Sequence, residues 1–275
     1  MSDDGDNNKP AVVLTIAGTD PSGGAGINVD LQVCRDFGCH GVSAITAVVW
    51  QNTQGVDGWR ALEPGELQAQ LDAVVDDIAI DAVKIGMIPT GGLVEVVHRM
   101  LQDFDDSPPV VLDPVMASGD GTRSMMESTG RRSLTDLRGV VDLVTPNGPE
   151  AGALIGDDSE ITEPERSIRR LVDRGWKRVL LKGGHLSGGR GAGQVIDWYG
   201  DTDGVMALPG LDSVDADIRG TGCQLSTAIA CGRAHRKPWR KAIDDGRRYL
   251  NAMLVDSARS IGRGRPVVVR LESRQ

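Results

Sequence analysis

The stretch IRGTGCQLSTAIAC, residues 218–231, sets Gly220, Thr221 and Gly222 directly before a run of helix-forming residues. A glycine-rich turn feeding a helix start suits an anion, because the first N–H groups lack intrahelical acceptors and the positive dipole end lies there. Where a phosphate-handling site would usually carry a carboxylate base, this chain has Cys223, and Arg219 stands on the other flank of the turn. A thiol at a helix start is expected to titrate below its ordinary value of about 8.5, towards neutrality, and so to assist an alcohol. The plainer reading is a small residue packing the helix start. Arg219 offers a permanently charged planar fork suited to bidentate contact with a transferring or acceptor phosphate, against the plainer reading of a solvated side chain pointing away.

Further polar residues stand where apolar runs end. Asp113 closes PVVLDPV and Glu150 follows TPNGP, and a carboxylate at a strand end beside a phosphate site is a natural Mg²⁺ ligand, directly or through water. Glu150 is equally well placed for a helix first turn. Lys182, in LLKGGH, either partners a polyphosphate or lies along the surface with its head in water. Gln51, in VVWQNTQG, carries a planar amide that donates and accepts like the edge of an aminopyrimidine; otherwise it is a loop glutamine facing water. Its neighbour Trp50 is a core, interface or stacking residue. The turn AGTDPSGGAG (17–26) lets backbone approach a small ligand, with Asp20 placed to accept from its hydroxyl, or it merely covers the sheet end.

Elements able to hold these residues together follow from the hydrophobic pattern. Strand-like runs at 11–18, 42–49, 81–87, 109–115, 141–147, 177–184 and 194–200 alternate with helical stretches at 27–38, 63–77 and around 92–103. Helices at 221–235 and 239–258 close the series. In the first helix, spacing puts Ile27, Leu31, Cys34 and Phe37 on one face. Continuous apolar strands with intervening helices imply an α/β fold with a mostly parallel sheet covered on both faces. Ligands bind beyond the carboxyl ends of such strands, which gathers every segment above on one rim. The Gly-rich stretch 187–193 reads as a hairpin or loop, and residues 1–10 as a disordered lead-in to one domain over 11–275.

Composition narrows the function. A net charge of −9 argues against nucleic acid or an anionic membrane as the main partner. No apolar run approaches a membrane span and the start lacks a secretory apolar region, so a cytoplasmic location is expected. Cys34, Cys39, Cys223 and Cys231 form no CxxC pair, so neither a zinc site nor a disulfide framework is expected.

Taken together, LTIAGTDPSGGAGI, ITAVVWQNTQGV, KIGM, VLDPVM, TPNGPEA, LLKGGH and GTGCQLSTAIA resemble the hydroxymethylpyrimidine/phosphomethylpyrimidine kinases of thiamine biosynthesis, within the ribokinase-like superfamily. They stand in the family's order from residue 11 to about 265. The resemblance implies a three-layer αβα sandwich, dimeric, that moves the γ-phosphoryl group of ATP to the pyrimidine twice with Mg²⁺. By that resemblance Gln51 reads the pyrimidine, with the Val49 backbone, Gly18, Asp20, Met87 and Val115 around it. Gly220, Thr221 and Gly222 form the anion hole and Cys223 lies by the accepting hydroxyl. Asp113 and Glu150 fall on the magnesium side, Asn147 and Lys182 on the nucleotide side. The family usually has His before GTGC and Thr after it, where this chain has Arg219 and Gln224.

A thiol fits two successive transfers. Phosphoryl transfer goes through a loose transition state in which positioning and charge neutralisation outweigh strong base catalysis. A phosphate-monoester acceptor is already anionic and needs no base. A carboxylate would repel it, whereas a neutral thiol would not, so Cys223 is expected to matter more in the first transfer. Two other functions share parts of the pattern: a pyridoxine or pyridoxal kinase of the same superfamily, and a non-catalytic pyrimidine-binding regulator, which the two departures beside the turn would suit.

Overall fold

Every residue of β1, Val12–Gly18, is buried, as a strand covered on both faces requires. In this computed structural model, which describes residues 9–119, 121–157, 161–185, 193–212, 214 and 217–269, β1 lies inside a nine-stranded sheet. The first half of the chain adds α1 (Gly26–Asp36), β2 (His40–Gln51), β3 (Val56–Ala61), α2 (Pro64–Val75), β4 (Ala82–Ile85), α3 (Gly91–Gln102), β5 (Val110–Leu112) and α4 (Ser128–Ser133). The second half adds β6 (Leu143–Val144), α5 (Gly148–Ile155), α6 (Pro164–Asp173), β7 (Arg178–Leu181), β8 (Gln194–Val195), β9 (Trp198–Asp201), β10 (Gly204–Ala207) and β11 (Leu211–Asp212). It ends with α7 (Thr221–Ala234), α8 (Trp239–Asp256), β12 (Ala258–Arg259) and β13 (Val267–Val268).

The strand order is β10-β9-β7-β6-β5-β4-β1-β2-β3. From β2 to β7 the neighbours are parallel, while β3, β9 and β10 join antiparallel at the edges. The two-residue alternation of a strand divides the core. Val13, Ala82, Val111, Leu143 and Leu180 pack with Leu225, Ile229 and Ile243 of α7 and α8. Leu14, Val83, Leu112, Val144 and Leu181 pack with residues of α2, α3, α5 and α6, so helices cover both faces and the sheet is the middle of three layers.

Two local expectations are corrected. Residues 194–200 are not one strand: β8 pairs with β11 in a separate small sheet, and only β9 enters the large one. Between them Asp197 turns inward, accepting from Gly183 N and Arg247 Nε, each at 2.7 Å, and a buried ion pair there outweighs strand continuity. In α1 the buried face carries Ile27, Asp30 and Cys34, while Leu31 is exposed. Asp30 takes the inward place because a lysine of β4 lies opposite it. The lead-in, through residue 8, and residues 187–192 of the Gly-rich stretch lie outside the described residues.

Candidate active site

The carboxyl ends of the parallel strands open on one cavity of about 970 Å³, and the fold brings Gln51, Asp113, Glu150, Lys182, Arg219 and Cys223 to its wall. The anion turn is built by close backbone approach. Gly220 is left-handed (φ 74°), and a Cβ there would stand 2.0 Å from Gly24 O, so only glycine lets the turn close against the loop after β1. A Cβ on Gly222 would stand 3.0 Å from Asp113 Oδ2 and 3.3 Å from Lys182 Nζ. The turn thus sits against the carboxylate and ammonium of the neighbouring strands. Among the described residues no side chain caps α7, which leaves its first N–H groups for a ligand.

Cys223 departs from expectation. Burial pushes its thiol up to about 11, helped by Asp30 and Asp113; Lys84 and a hydrogen bond to the Gly26 backbone only partly oppose this. The helix start does not bring it towards neutrality, because burial, and after it the carboxylates of Asp30 and Asp113, disfavour the thiolate. The thiol is therefore protonated at neutral pH.

Asp113 is buried and accepts from Lys182 Nζ at 2.8 Å; the same ammonium lies 3.5 Å from Glu150 Oε2. Burial first, and then Asp113, push the Glu150 carboxyl up to about 7 against the pull of Lys182 and Asn147 N–H. Burial pulls the Lys182 ammonium down, but Asp113 and Glu150 outweigh it and its pKa is raised. Asn147 caps α5 reciprocally with Glu150: Asn147 Oδ1 accepts from Glu150 N, and Glu150 Oε2 from Asn147 N. The first-turn reading of Glu150 is therefore correct, and it leaves the carboxylate on the cavity wall. Two buried carboxylates on one stretch of cavity wall suit Mg²⁺, which usually takes one or two protein carboxylates and completes its shell with water and phosphate.

At the other end Gln51 Nε2 donates to Thr19 O at 3.1 Å, and Gln51 Oε1 accepts from Arg219 Nη2 at 2.6 Å. Met87 and Val115 line the cavity beside it, and Gly18 lies so close to Met87 and Val49 that a Cβ would stand 3.0 Å from Met87 Sδ. Val49 N–H is engaged by Thr19 Oγ1. Asp20 is corrected: its carboxylate accepts from Ser22 N and Ser22 Oγ and lies 3.4 Å from Arg219 Nη2, fully buried behind the cavity wall. The N–H and the hydroxyl of Ser22 take one oxygen of this carboxylate and Arg219 faces the other, where a ligand hydroxyl was expected. Arg219 is corrected too. It is neither solvated nor aimed from the turn at a phosphate; it is buried, with its guanidinium between Gln51 and Asp20. Trp50 is half exposed, so it is not core.

A phosphomethylpyrimidine kinase profile matches residues 20–268, nearly the whole chain. The chain belongs to that family. The hydroxymethylpyrimidine/phosphomethylpyrimidine kinase of Salmonella typhimurium is 39% identical over 254 residues, covering 91% of this chain and 94% of that protein. The phosphomethylpyrimidine kinase structure from Clostridium difficile superposes with a TM-score of 0.73 at 31% identity, covering 87% of this chain and 97% of the other. An ADP complex of Bacillus subtilis pyridoxal kinase superposes with a TM-score of 0.82 at 25% identity, covering 94% and 97%. The ribokinase-like fold is common to both, while the higher sequence identity lies with the pyrimidine kinases.

Sequence pattern alone does not place every charged group on the cavity wall. Lys84, the lysine of KIGM, is fully buried on the cavity wall and donates to Asp30 Oδ2 at 2.7 Å. Thr15 and Thr227 also donate to Asp30, at 2.6 and 2.7 Å. The available signal was a lysine within an apolar strand and an aspartate on an apolar helix face, each improbable alone and explained by the other.

Proposed function

We propose that this kinase transfers the γ-phosphoryl group of ATP first to the hydroxymethyl group of 4-amino-5-hydroxymethyl-2-methylpyrimidine and then to the resulting monophosphate, serving thiamine biosynthesis. The observation that carries this reading is one cavity joining a planar amide, Gln51, to an anion turn and a carboxylate–lysine cluster. Gln51 orients the heterocycle, and the N–H groups of Thr221 to Cys223, at the helix start, cradle the moving phosphoryl group where negative charge collects. Lys182 neutralises nucleotide phosphate, and the Asn147 side chain fixes the helix start beside it. Asp113 and Glu150 would hold Mg²⁺, whose contribution when bound is to screen phosphate charge. Cys223, protonated, presents no anion to the second acceptor.

The reading includes one kinase domain that acts as a cytoplasmic homodimer; Val48 and Trp50, two residues apart on β2 and both exposed, support a contact surface there. Among the described residues no helix is long and apolar enough to cross a membrane. Pyridoxal kinase activity is the second reading, favoured by the superposition on the Bacillus subtilis enzyme. Release of ADP from Mg-ATP with each acceptor in turn separates them. Turnover of both pyrimidines above pyridoxal supports the proposal. Turnover of pyridoxal alone, or pyrimidine binding without ADP release, refutes it.

A further inference from the structure

Arg219 carries a consequence for substrate choice, and it rests on the pyrimidine reading just given. A glutamine amide has two oxygen lone pairs and two N–H donors, and by itself either end can face a given neighbour. Gln51 has no such freedom. The guanidinium of Arg219 is donor-only, so it takes the oxygen; the carbonyl of Thr19 is acceptor-only, so it takes the nitrogen. Arg219 is itself held, 6% exposed, with Asp20 Oδ2 3.4 Å from the same Nη2, and Asp20 is anchored by Ser22. The bond to Gln51 is charge-assisted and short, which makes inversion of the amide costly. Gln51 lines the cavity, and among the described residues one lone pair and one N–H remain to it, in fixed order.

We propose that Arg219 is a positioning residue that locks the hydrogen-bond polarity of Gln51 and thereby selects an aminopyrimidine over its oxo counterpart. An aminopyrimidine edge presents an amino donor beside a ring-nitrogen acceptor, matching what Gln51 has left. The oxo analogue presents a carbonyl acceptor beside a ring N–H, the same pair reversed, so both contacts oppose. A site built to pair polar groups rejects the ligand that leaves them unpaired far more strongly than an apolar pocket rejects a change of size.

The test compares kcat/KM, by ADP release, for 4-amino-5-hydroxymethyl-2-methylpyrimidine and its 4-oxo analogue, with ATP binding measured alongside. The wild-type protein should favour the amino compound by at least about 100-fold, two opposed hydrogen bonds' worth. Arg219→Lys keeps a donor-only cation and should preserve the ratio. Arg219→Gln, able to donate or accept, leaves only the bond to Thr19 and should cut the ratio by about tenfold or more, in KM rather than kcat, with ATP affinity unchanged. Arg219→Met offers neither donor nor acceptor, likewise leaves only the bond to Thr19 and should behave like the glutamine variant, so the comparison survives if one variant fails to fold. A wild-type ratio below tenfold, or a ratio the same in wild type and both neutral variants, overturns the lock. A wild-type protein that phosphorylates pyridoxal and neither pyrimidine overturns the proposed function instead.

Discussion

The pair formed by Lys84 and Asp30 makes the sharpest prediction about what holds the site together. Both side chains are fully buried, 2.7 Å apart, under the anion turn. Removing one partner strands the other charge, and such losses run at about 3–5 kcal/mol. The stranded group escapes by changing its protonation. In Lys84→Met a buried Asp30 can take a proton, which at pH 7 costs about 4 kcal/mol from its ordinary pKa. In Asp30→Asn a buried Lys84 can lose one, at up to about 5 kcal/mol. For a chain of this size those losses lower the melting temperature by roughly 7–9 °C. The two variants then respond to pH in opposite ways. With Asp30 protonated only in the folded state, folding binds a proton, so the deficit of Lys84→Met should shrink by about 2.7 kcal/mol between pH 7 and pH 5. With Lys84 neutral only in the folded state, folding releases a proton, so the deficit of Asp30→Asn should shrink by a similar amount, about 2.7 kcal/mol, between pH 7 and pH 9. Urea unfolding followed by circular dichroism at pH 5, 7 and 9, each variant against wild type, reads both slopes. Losses under about 1 kcal/mol at pH 7, as for an exposed pair, would refute the reasoning, and so would slopes of the same sign.

The same geometry yields three shorter expectations. Gln51→Ala should weaken pyrimidine binding about 5- to 150-fold, the equivalent of 1–3 kcal/mol, with ATP binding nearly unchanged; titration calorimetry with each ligand checks this, and equal loss of both would point to misfolding. Alkylation of Cys223 by iodoacetamide, followed by peptide mapping, should be slow at pH 7.5 and rise about tenfold per pH unit towards pH 10, because burial holds the thiol at about 11; a plateau near pH 8 would contradict that. In metal-free protein the Glu150 carboxyl, raised to about 7, keeps a proton that the unfolded chain gives up from about 4.5. Stability should therefore fall as pH rises across that window, and Glu150→Gln should flatten the fall in thermal melts; an undiminished slope in the variant would argue against it.

The layered fold was legible because it follows from short-range pattern. Buried runs such as AVVLTIAG and PVVLDPV have the length and composition of strands covered on both faces, and Glu150 after TPNGP is placed for a helix first turn by local sequence alone. The edge strand β3 and the break at Asp197 were not legible, since pairing at a sheet edge and the reach of Arg247 to Asp197 depend on distant residues. The site divides in the same way. Gly220 and Gly222 could be singled out from sequence, because a tight turn before a helix is a local requirement. The partners of polar side chains could not. Arg219 is 168 residues from Gln51, and only tertiary packing turned it to that amide and away from the phosphate contact expected of it. Asp30 and Lys84, 54 residues apart, share a buried bond that hydrophobic periodicity assigns to apolar neighbours. The thiol of Cys223 shows the cause most plainly. A helix start is encoded in a few residues, but its effect on a pKa competes with burial and with the charges of Asp30 and Asp113, which the fold brings from other strands and helices. Sequence determines which groups are present and which backbone shapes they allow; electrostatics and hydrogen bonding depend on distance through space, and only the folded chain sets those distances.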